Sequence, residues 1–401
     1  MKVFRASAVL GIALVVAGGG AASAQDEPTR AAVIEQAEQE KAAALTPAKA
    51  GKAEEYVTNL ANLFLSGQVH WHPFWQSAYA GGGLTLGAGY LRHVSSYNTL
   101  DVRGSITPSG YKRIESEFIA PELFTRRGTL NVVGGWREAT EVGFYGFGMT
   151  SKKDNRADYS FQQPYLNATL QVFPAKNAFM LRGAAEITQW KQQPGKGEAP
   201  PVDQIYTPQT LPGLGTAPVY FHTQGAIGFD SRTAPGYTRR GGLYAVTLHD
   251  YTDTDGALGF KQVDYEAIQH IPILREAWVI SLRAWAQTTY DKDGQQIPFY
   301  MMPSLGGGSD LRAYASWRLR DLNSLMLQGE WRVMVNRFLD MALFYDAGKV
   351  AAQRSDLTLS GMKSDVGLGF RLHGRIATPL RIELTTGNEG FGLVLSASQV
   401  F

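Results

Sequence analysis

The sequence lacks three features that would each indicate a particular class of protein. It contains no cysteine, so disulfide bonds do not stabilise the fold. Its charge is nearly balanced, with 38 lysine and arginine residues against 36 aspartate and glutamate residues, which excludes the basic bias typical of nucleic-acid-binding proteins. It has no run of about eighteen apolar residues, so no membrane-spanning helix is predicted. The chain is instead rich in glycine, with 44 residues, and 11% of it is aromatic.

Residues 1–24 are predicted to be a secretory signal peptide. Lys2 and Arg5 form the positive start, residues 6–17 form a short apolar core, and the small residues 22–24 form a cleavage site before Gln25. The core is too short to cross a bilayer as a helix. The signal predicts that the mature chain leaves the cytoplasm.

A compositionally distinct segment follows at residues 25–67, in which Ala, Glu, Gln and Lys dominate. Thr46 and Pro47 are typical of a helix start, and Gly67 of a helix end. We therefore expect a short periplasmic helical segment. Its apolar face would bury against a barrel lumen, a barrel mouth or the inner-leaflet surface; alternatively, the segment is a weakly helical, solvated linker.

From residue 68 onward the apolar residues recur with a period of two. Leu325 and Leu327 lie on one face of a predicted strand, for example, and Gln328 and Glu330 on the other. Strands of about ten residues are long enough to cross a bilayer at a tilt, and are about twice as long as usual soluble strands. The polar face carries charges of both signs, which is typical of a wet barrel lumen. The predicted strands are 78–90, 97–107, 111–120, 128–138, 159–173, 177–190, 219–230, 241–251, 258–270, 277–290, 323–335, 339–348, 364–373, 379–387 and 391–401.

The expected fold is an all-β membrane protein. Residues 68–401 are predicted to form an antiparallel transmembrane β-barrel of about sixteen strands, which places the protein in the outer membrane of a Gram-negative cell. Because bacterial single-chain barrels have an even number of strands, one strand is missing from the fifteen predicted, either before residue 78 or near 142–149. The chain ends in a strand with Phe391, Leu393 and Leu395 on one face and Phe401 at the terminus, as exported barrel proteins commonly do.

A long connection, residues 291–322, interrupts the strand pattern. It contains the consecutive glycines Gly306, Gly307 and Gly308, which suit a tight bend or a close backbone approach. Arg312 lies among apolar and aromatic residues of the same connection. On the residues alone, Arg312 is most simply a solvated loop arginine.

Several motifs in the same order resemble one known family. These are PSLGGGSDLRAY, LNSLMLQGEWR, LDMALFYDAGKV, SDVGLGFRLHG and PLRIELTTG, preceded upstream by IGFDSRTAPGYTRRGG. They resemble the outer-membrane-protein-85 superfamily, which comprises the BamA-like and TamA-like surface-antigen barrels. The resemblance covers about residues 70–401 and implies a sixteen-stranded barrel with an extracellular loop that folds into its lumen.

The resemblance also implies a contact that fixes this loop. Arg312 and Tyr314 match the arginine and the aromatic residue of the family's loop motif, and Glu330 and Asp346 match acidic residues of the barrel wall. The sequence departs from the motif at Ala313, where the family has glycine. We expect the Arg312 guanidinium to bind the wall carboxylates and hold loop 291–322 inside the barrel.

The sequence contains two further motifs that resemble metal-binding sites, and both are incomplete. Asp253 to Gly256 resembles the start of a calcium loop, but no glutamate follows at the required distance. His70 and His72 have no third metal ligand. The sequence therefore predicts no catalytic residue, no metal site and no cofactor, and the protein is not expected to be an enzyme.

The resemblance implies insertion or translocation of proteins at the outer membrane, through a lateral gate between the first and last strands. Partners would be outer-membrane lipids and possible client outer-membrane proteins, with no nucleic acid. The segment 25–67 is too short for a periplasmic POTRA domain, so a POTRA-less member is expected and the family's activity does not follow directly. Two alternatives remain open: a passive pore or transporter plugged by the loop and the N-terminal helix, and a structural or lipid-organising barrel.

Overall fold

The computed structural model describes residues 70–174, 178–274, 276–396 and 400–401. The predicted signal peptide and the helical segment 25–67 lie outside these residues. Within the described residues, no helix is long and apolar enough to cross a membrane. The strands are β1 (Trp71–Pro73), β2 (Leu86–His93), β3 (Thr99–Ile106), β4 (Lys112–Glu122), β5 (Gly128–Phe144), β6 (Ala157–Val172), β7 (Phe179–Gln189), β8 (Lys191–Pro194), β9 (Val219–Asp230), β10 (Gly241–Asp253), β11 (Phe260–Ile273), β12 (Trp278–Asp291), β13 (Ser304–Leu305), β14 (Leu319–Arg320), β15 (Asn323–Asn336), β16 (Leu339–Ala351), β17 (Lys363–Leu372), β18 (Leu380–Gly387) and β19 (Gly390–Ser396). Helical turns are confined to Leu123–Arg126, Lys153–Asn155, Val202–Ile205, Phe299–Met301 and Arg354–Asp356 in this part of the chain.

Seventeen of the described strands form one sheet, and β13 and β14 form a separate pair. Neighbours along the chain are antiparallel neighbours in the sheet, from β1 with β2 to β18 with β19. The exception is β8, which pairs with β6, while β7 pairs directly with β9. Leaving out β8, sixteen strands form the barrel wall, so the predicted all-β barrel of about sixteen strands is confirmed.

The strand that the sequence pattern missed is β1, before residue 78. A three-residue strand is too short for a period of two to be recognised. Several predicted boundaries were wrong. Residues 78–85 precede β2 rather than belonging to it, β5 continues to Phe144 beyond the predicted end at residue 138, and Phe401 is not part of a strand.

The alternation of side chains matches the two sides of the wall. On β16, Leu343 and Tyr345 point outward and are 45% and 52% exposed, whereas Asp340 and Asp346 point inward and are fully buried. Hydrocarbon outside accepts the apolar side chains, and the polar interior accepts the charged ones. The period of two therefore assigned the faces of this strand correctly.

The two ends of the barrel differ in the length of their connections. One end has short turns, such as residues 337–338 between β15 and β16, and the other has long loops, including 190–218 and 292–322. Outer-membrane barrels have short periplasmic turns and longer extracellular loops, so the long-loop end is extracellular. There, Phe144 and Tyr159 of the wall pack with the loop residue Phe299, with each of the three at most 1% exposed.

Candidate functional site

The tip of the long extracellular loop is a tight turn built on glycine. Strands β13 and β14 pair at its base. Gly306 and Gly307 have φ angles of 120° and 115°, a region that side-chain-bearing residues rarely adopt. The Leu311 carbonyl accepts hydrogen bonds from the backbone N–H groups of Gly307 (3.2 Å) and Tyr314 (3.1 Å). The turn presents Arg312, the residue after Leu311, towards the wall.

Arg312 is buried and bound by two carboxylates of the inner wall. Its Nε and Nη2 atoms donate to the two oxygens of Asp346 at 2.6 and 2.9 Å, and its Nη1 donates to Glu383 Oε1 at 2.9 Å. The guanidinium carbon lies 3.4 Å from the centroid of the Phe344 ring. This is a bidentate pair with a second acidic partner and an aromatic face, which fixes both position and orientation.

The electrostatics of this contact keep the arginine charged. Burial alone would lower the pKa of the Arg312 guanidinium, but Asp346, Glu383 and Glu330 together raise it above its ordinary value. Loop release by deprotonation of Arg312 is therefore not available at physiological pH.

The other residues expected at the loop contact take different positions. Glu330 Oε2 lies 3.5 Å from Arg312 Nη1, but both Glu330 oxygens are hydrogen-bonded by Arg371. Tyr314 is 3% exposed and its hydroxyl donates to the Ser364 carbonyl at 3.4 Å. At the departure from the family motif, Ala313 is absent from the described residues with positive φ, and its N–H donates to Asp365 Oδ2 at 3.0 Å.

Several wall residues that bind the loop were not singled out from the sequence. Glu383 accepts from Arg312, Arg381 Nη2 donates to the Gly308 carbonyl at 2.7 Å, and Gln328 Nε2 donates to the Ser309 carbonyl at 3.2 Å. Each lies on the inward face that the alternation predicts. Selecting them required the register between strands, which the alternation does not contain.

The last strand touches the same loop. Phe391, Leu393 and Leu395 point outward and are 92%, 62% and 59% exposed. Gly392 lies between them on the inward face, where an added Cβ would lie 3.4 Å from the Arg312 carbonyl oxygen. A Cβ on Gly308 would lie 2.9 Å from Val394 Cγ1. The loop and the last strand therefore approach each other closely at these two glycines.

The terminal residue Phe401 lies apart from these three outward side chains. Its ring is stacked on that of His270, with 6.0 Å between centroids, and Phe401 itself is not in a strand.

A second segment enters the barrel from the periplasmic end. It is the turn 231–240 between β9 and β10, part of the upstream motif. The Tyr237 hydroxyl donates to Asp340 Oδ2 at 2.8 Å, its ring stacks on His373 at 4.0 Å, and Arg239 Nη1 lies 3.3 Å from the same Asp340 oxygen. Arg332 donates to the Thr238 carbonyl. The sequence pattern does not indicate that this turn points inward, because its glycine and polar residues are typical of exposed turns.

The residues of the two weak metal motifs form hydrogen bonds within the protein. The Asp253 carboxylate accepts hydrogen bonds from the backbone N–H groups of Asp255, Ala257 and Leu258 at 3.0–3.2 Å, so it stabilises a turn. His72 Nε2 lies 2.8 Å from Asp101 Oδ1. In the part of the chain that the structure describes, no three potential ligands are arranged to hold a metal ion.

Known proteins share this sequence pattern and fold. Residues 76–389 match the family model of the Omp85 superfamily domain, and no curated protein matches the chain. BamA from Haemophilus ducreyi lacking POTRA domains 1–3 superposes with a TM-score of 0.59 and 14% identity, over 82% of this chain and 68% of that chain. CdiB from Escherichia coli gives 0.53 and 12%, over 82% and 60%, and CdiB from Acinetobacter baumannii gives 0.50 and 10%, over 79% and 56%. This chain thus spans less than two thirds of either CdiB chain, and at these identities the likeness shows the fold.

Proposed function

Because the chain belongs to the Omp85 superfamily, we propose that its barrel inserts or translocates proteins at the outer membrane through a lateral opening between its first and last strands. The protein is a multi-pass β-barrel of the outer membrane. The observation that carries the proposal is the shortness of the first strand, on one side of this seam. β1 has three residues, whereas β15 and β16 have fourteen and thirteen.

Short strands favour opening because each residue pair adds to the backbone ladder that must break. A seam with few hydrogen bonds costs less to open than the interior of the wall, and the freed edges can pair with a strand of a client protein. The close approach of loop and last strand at Gly392 and Gly308 supports a role for the loop in ordering this edge. In this proposal the Arg312 contacts hold the loop in the lumen.

The absence of native cysteine makes the seam directly testable. Cysteine pairs with one member in β1 and one in β19 would close it by a disulfide, and a matched pair at Trp331 and Leu343, which face each other across β15 and β16, would crosslink the wall elsewhere. We expect the seam crosslink alone to lower the level of specific outer-membrane proteins, as deletion of the protein should. Unchanged levels in both the deletion and the crosslinked strain would remove the proposal.

A passive pore is the second candidate, supported by a polar cavity of about 380 Å³ on the inner wall. Residues of both charge signs line it, including Arg103, Arg137, Glu117 and Glu186, so strong ion selectivity is not expected. Planar-bilayer conductance with and without residues 25–66 tests this candidate, and no conductance in either form would exclude it. The third candidate is a structural or lipid-organising barrel, which would require no client protein. In that case a strain that lacks the protein should show altered lipid asymmetry of the outer membrane.

A further inference from the structure

A row of polar side chains crosses the lipid-facing side of the wall at its extracellular end. Lys112 of β4 is paired with Glu138 of β5, Glu138 with Gln162 of β6, and Gln162 with Lys191 of β8. Directly opposed residues of antiparallel strands point to the same face. That face is the outer one, because Ile114, two residues along β4 from Lys112, is 59% exposed.

A third lysine joins this row from the loop after β8. Lys196 Nζ lies 2.8 Å from Glu138 Oε1, and Lys112 Nζ lies 3.6 Å from Glu138 Oε2. The side chains of Lys112 and Lys196 are 51% and 55% exposed, whereas Glu138 is 6% exposed beneath them. Lys191 is exposed and its ammonium has no hydrogen bond or ion pair within the described chain. Within the row, the three ammonium groups face one carboxylate, that of Glu138. Glu141 and Asp158 lie nearer the extracellular ends of β5 and β6, where Asp158 is paired with Arg156, and Glu198 is exposed in the loop, so the row itself is positively charged.

Apolar side chains continue directly below this row towards the membrane centre. The next outward row, about 7 Å further along the strands, contains Ile114 and Trp136. The row after that contains Leu166 and Ile187, which face each other on β6 and β7 and are 54% and 53% exposed. The lysines therefore stand at the outer edge of the hydrocarbon-facing surface, at the depth of lipid headgroups.

We propose that Lys112, Lys191 and Lys196 form a binding site for the phosphate-bearing headgroup of a glycolipid in the outer leaflet. The ammonium groups would bind the phosphates, and the acyl chains would lie over Ile114 and Leu166. Ammonium groups at a membrane surface attract anionic headgroups, and the extracellular position of the row selects the outer leaflet. Glu138 holds two of the lysines in place while opposing the anion itself.

Two variants give opposite results if the row binds phosphate. The probe is purified lipopolysaccharide, intact or with its lipid phosphates removed, added to the full-length protein in detergent, and binding is measured by native mass spectrometry. Replacing all three lysines (K112Q/K191Q/K196Q) should weaken binding of the intact form by about fivefold for each lysine. E138Q should strengthen it, because it removes the repelling charge. Neither variant should change the weaker binding of the dephosphorylated form.

The matched control removes three lysines elsewhere at the extracellular end, in K152Q/K261Q/K349Q, and should leave lipopolysaccharide binding near the wild-type value. A purely structural cluster of lysines around Glu138 would instead give E138Q and the triple variant the same effect, a loss of thermal stability without a change in lipid binding. Equal binding of intact and dephosphorylated lipid, or an equal loss in the control, would overturn the proposal.

Discussion

The two segments that enter the barrel from opposite ends are held differently by the same strand. The extracellular loop places Arg312 against Asp346, with three donated hydrogen bonds of 2.6–2.9 Å to two carboxylates. The periplasmic turn places Arg239 against Asp340 at 3.3 Å, and that carboxylate is shared with Tyr237 and His373. Both aspartates belong to β16, about 20 Å apart at roughly 3.4 Å per residue.

A buried charge pair and a shared hydrogen-bonded cluster constrain a segment to different degrees. The bidentate pair of the loop sets its position and orientation together. The turn depends more on the stacking of Tyr237 on His373. The two clusters meet at Arg332, whose Nε lies 3.6 Å from Glu330 and which also donates to the Thr238 carbonyl.

The largest expected effect is that of Arg312→Ala. It leaves Asp346 buried without its cation, which costs about 3–5 kcal/mol in buried ion pairs, whereas Glu383 keeps Arg371 and Arg381 as partners. The loop should become sensitive to protease in folded protein, and heat-induced unfolding on a gel should occur at lower temperature. Arg354→Ala, at an exposed arginine of another extracellular loop, is the control and should behave as wild type. Wild-type behaviour of both variants would remove the anchoring role.

A smaller effect is expected at the other end from Asp340→Asn. Replacing the shared carboxylate weakens hydrogen bonds to a charged group, each of which contributes about 1.5–3 kcal/mol. Hydrogen exchange should rise at residues 236–239 while residues 306–314 keep wild-type protection. Equal increases in hydrogen exchange in both segments would show that they are released together. That result would contradict the view that the loop and the turn are held independently.

The smallest effect is expected from Ala313→Gly, which restores the residue typical of the family. Because Ala313 has no positive φ, glycine gains nothing in the folded loop and adds freedom to the unfolded chain, at a cost of about 0.4–1 kcal/mol. Thermal unfolding should therefore shift slightly downward. An increase in stability would mean that alanine strains the loop.

The sequence predicted the wall better than the contacts within it. Leu343 and Asp346 were assigned to opposite faces because side chains on a strand alternate regardless of its neighbours. The partnership of Glu383 with Arg312 was missed, because it depends on how β16, β17 and β18 are aligned. The pairing of Arg312 with Asp346 was implied by the family resemblance, since nothing in the periodicity distinguishes Arg312 from a solvated arginine.

The most direct test of the inward loop is a disulfide between the loop and the last strand. A Cβ on Gly308 would lie 2.9 Å from Val394 Cγ1, so G308C/V394C should form a disulfide in intact outer membranes. The control G308C/L393C should stay reduced, because Leu393 is 62% exposed on the opposite face of the same strand. A reduced G308C/V394C protein, or equal crosslinking of both pairs, would contradict a loop lodged inside the barrel against its last strand.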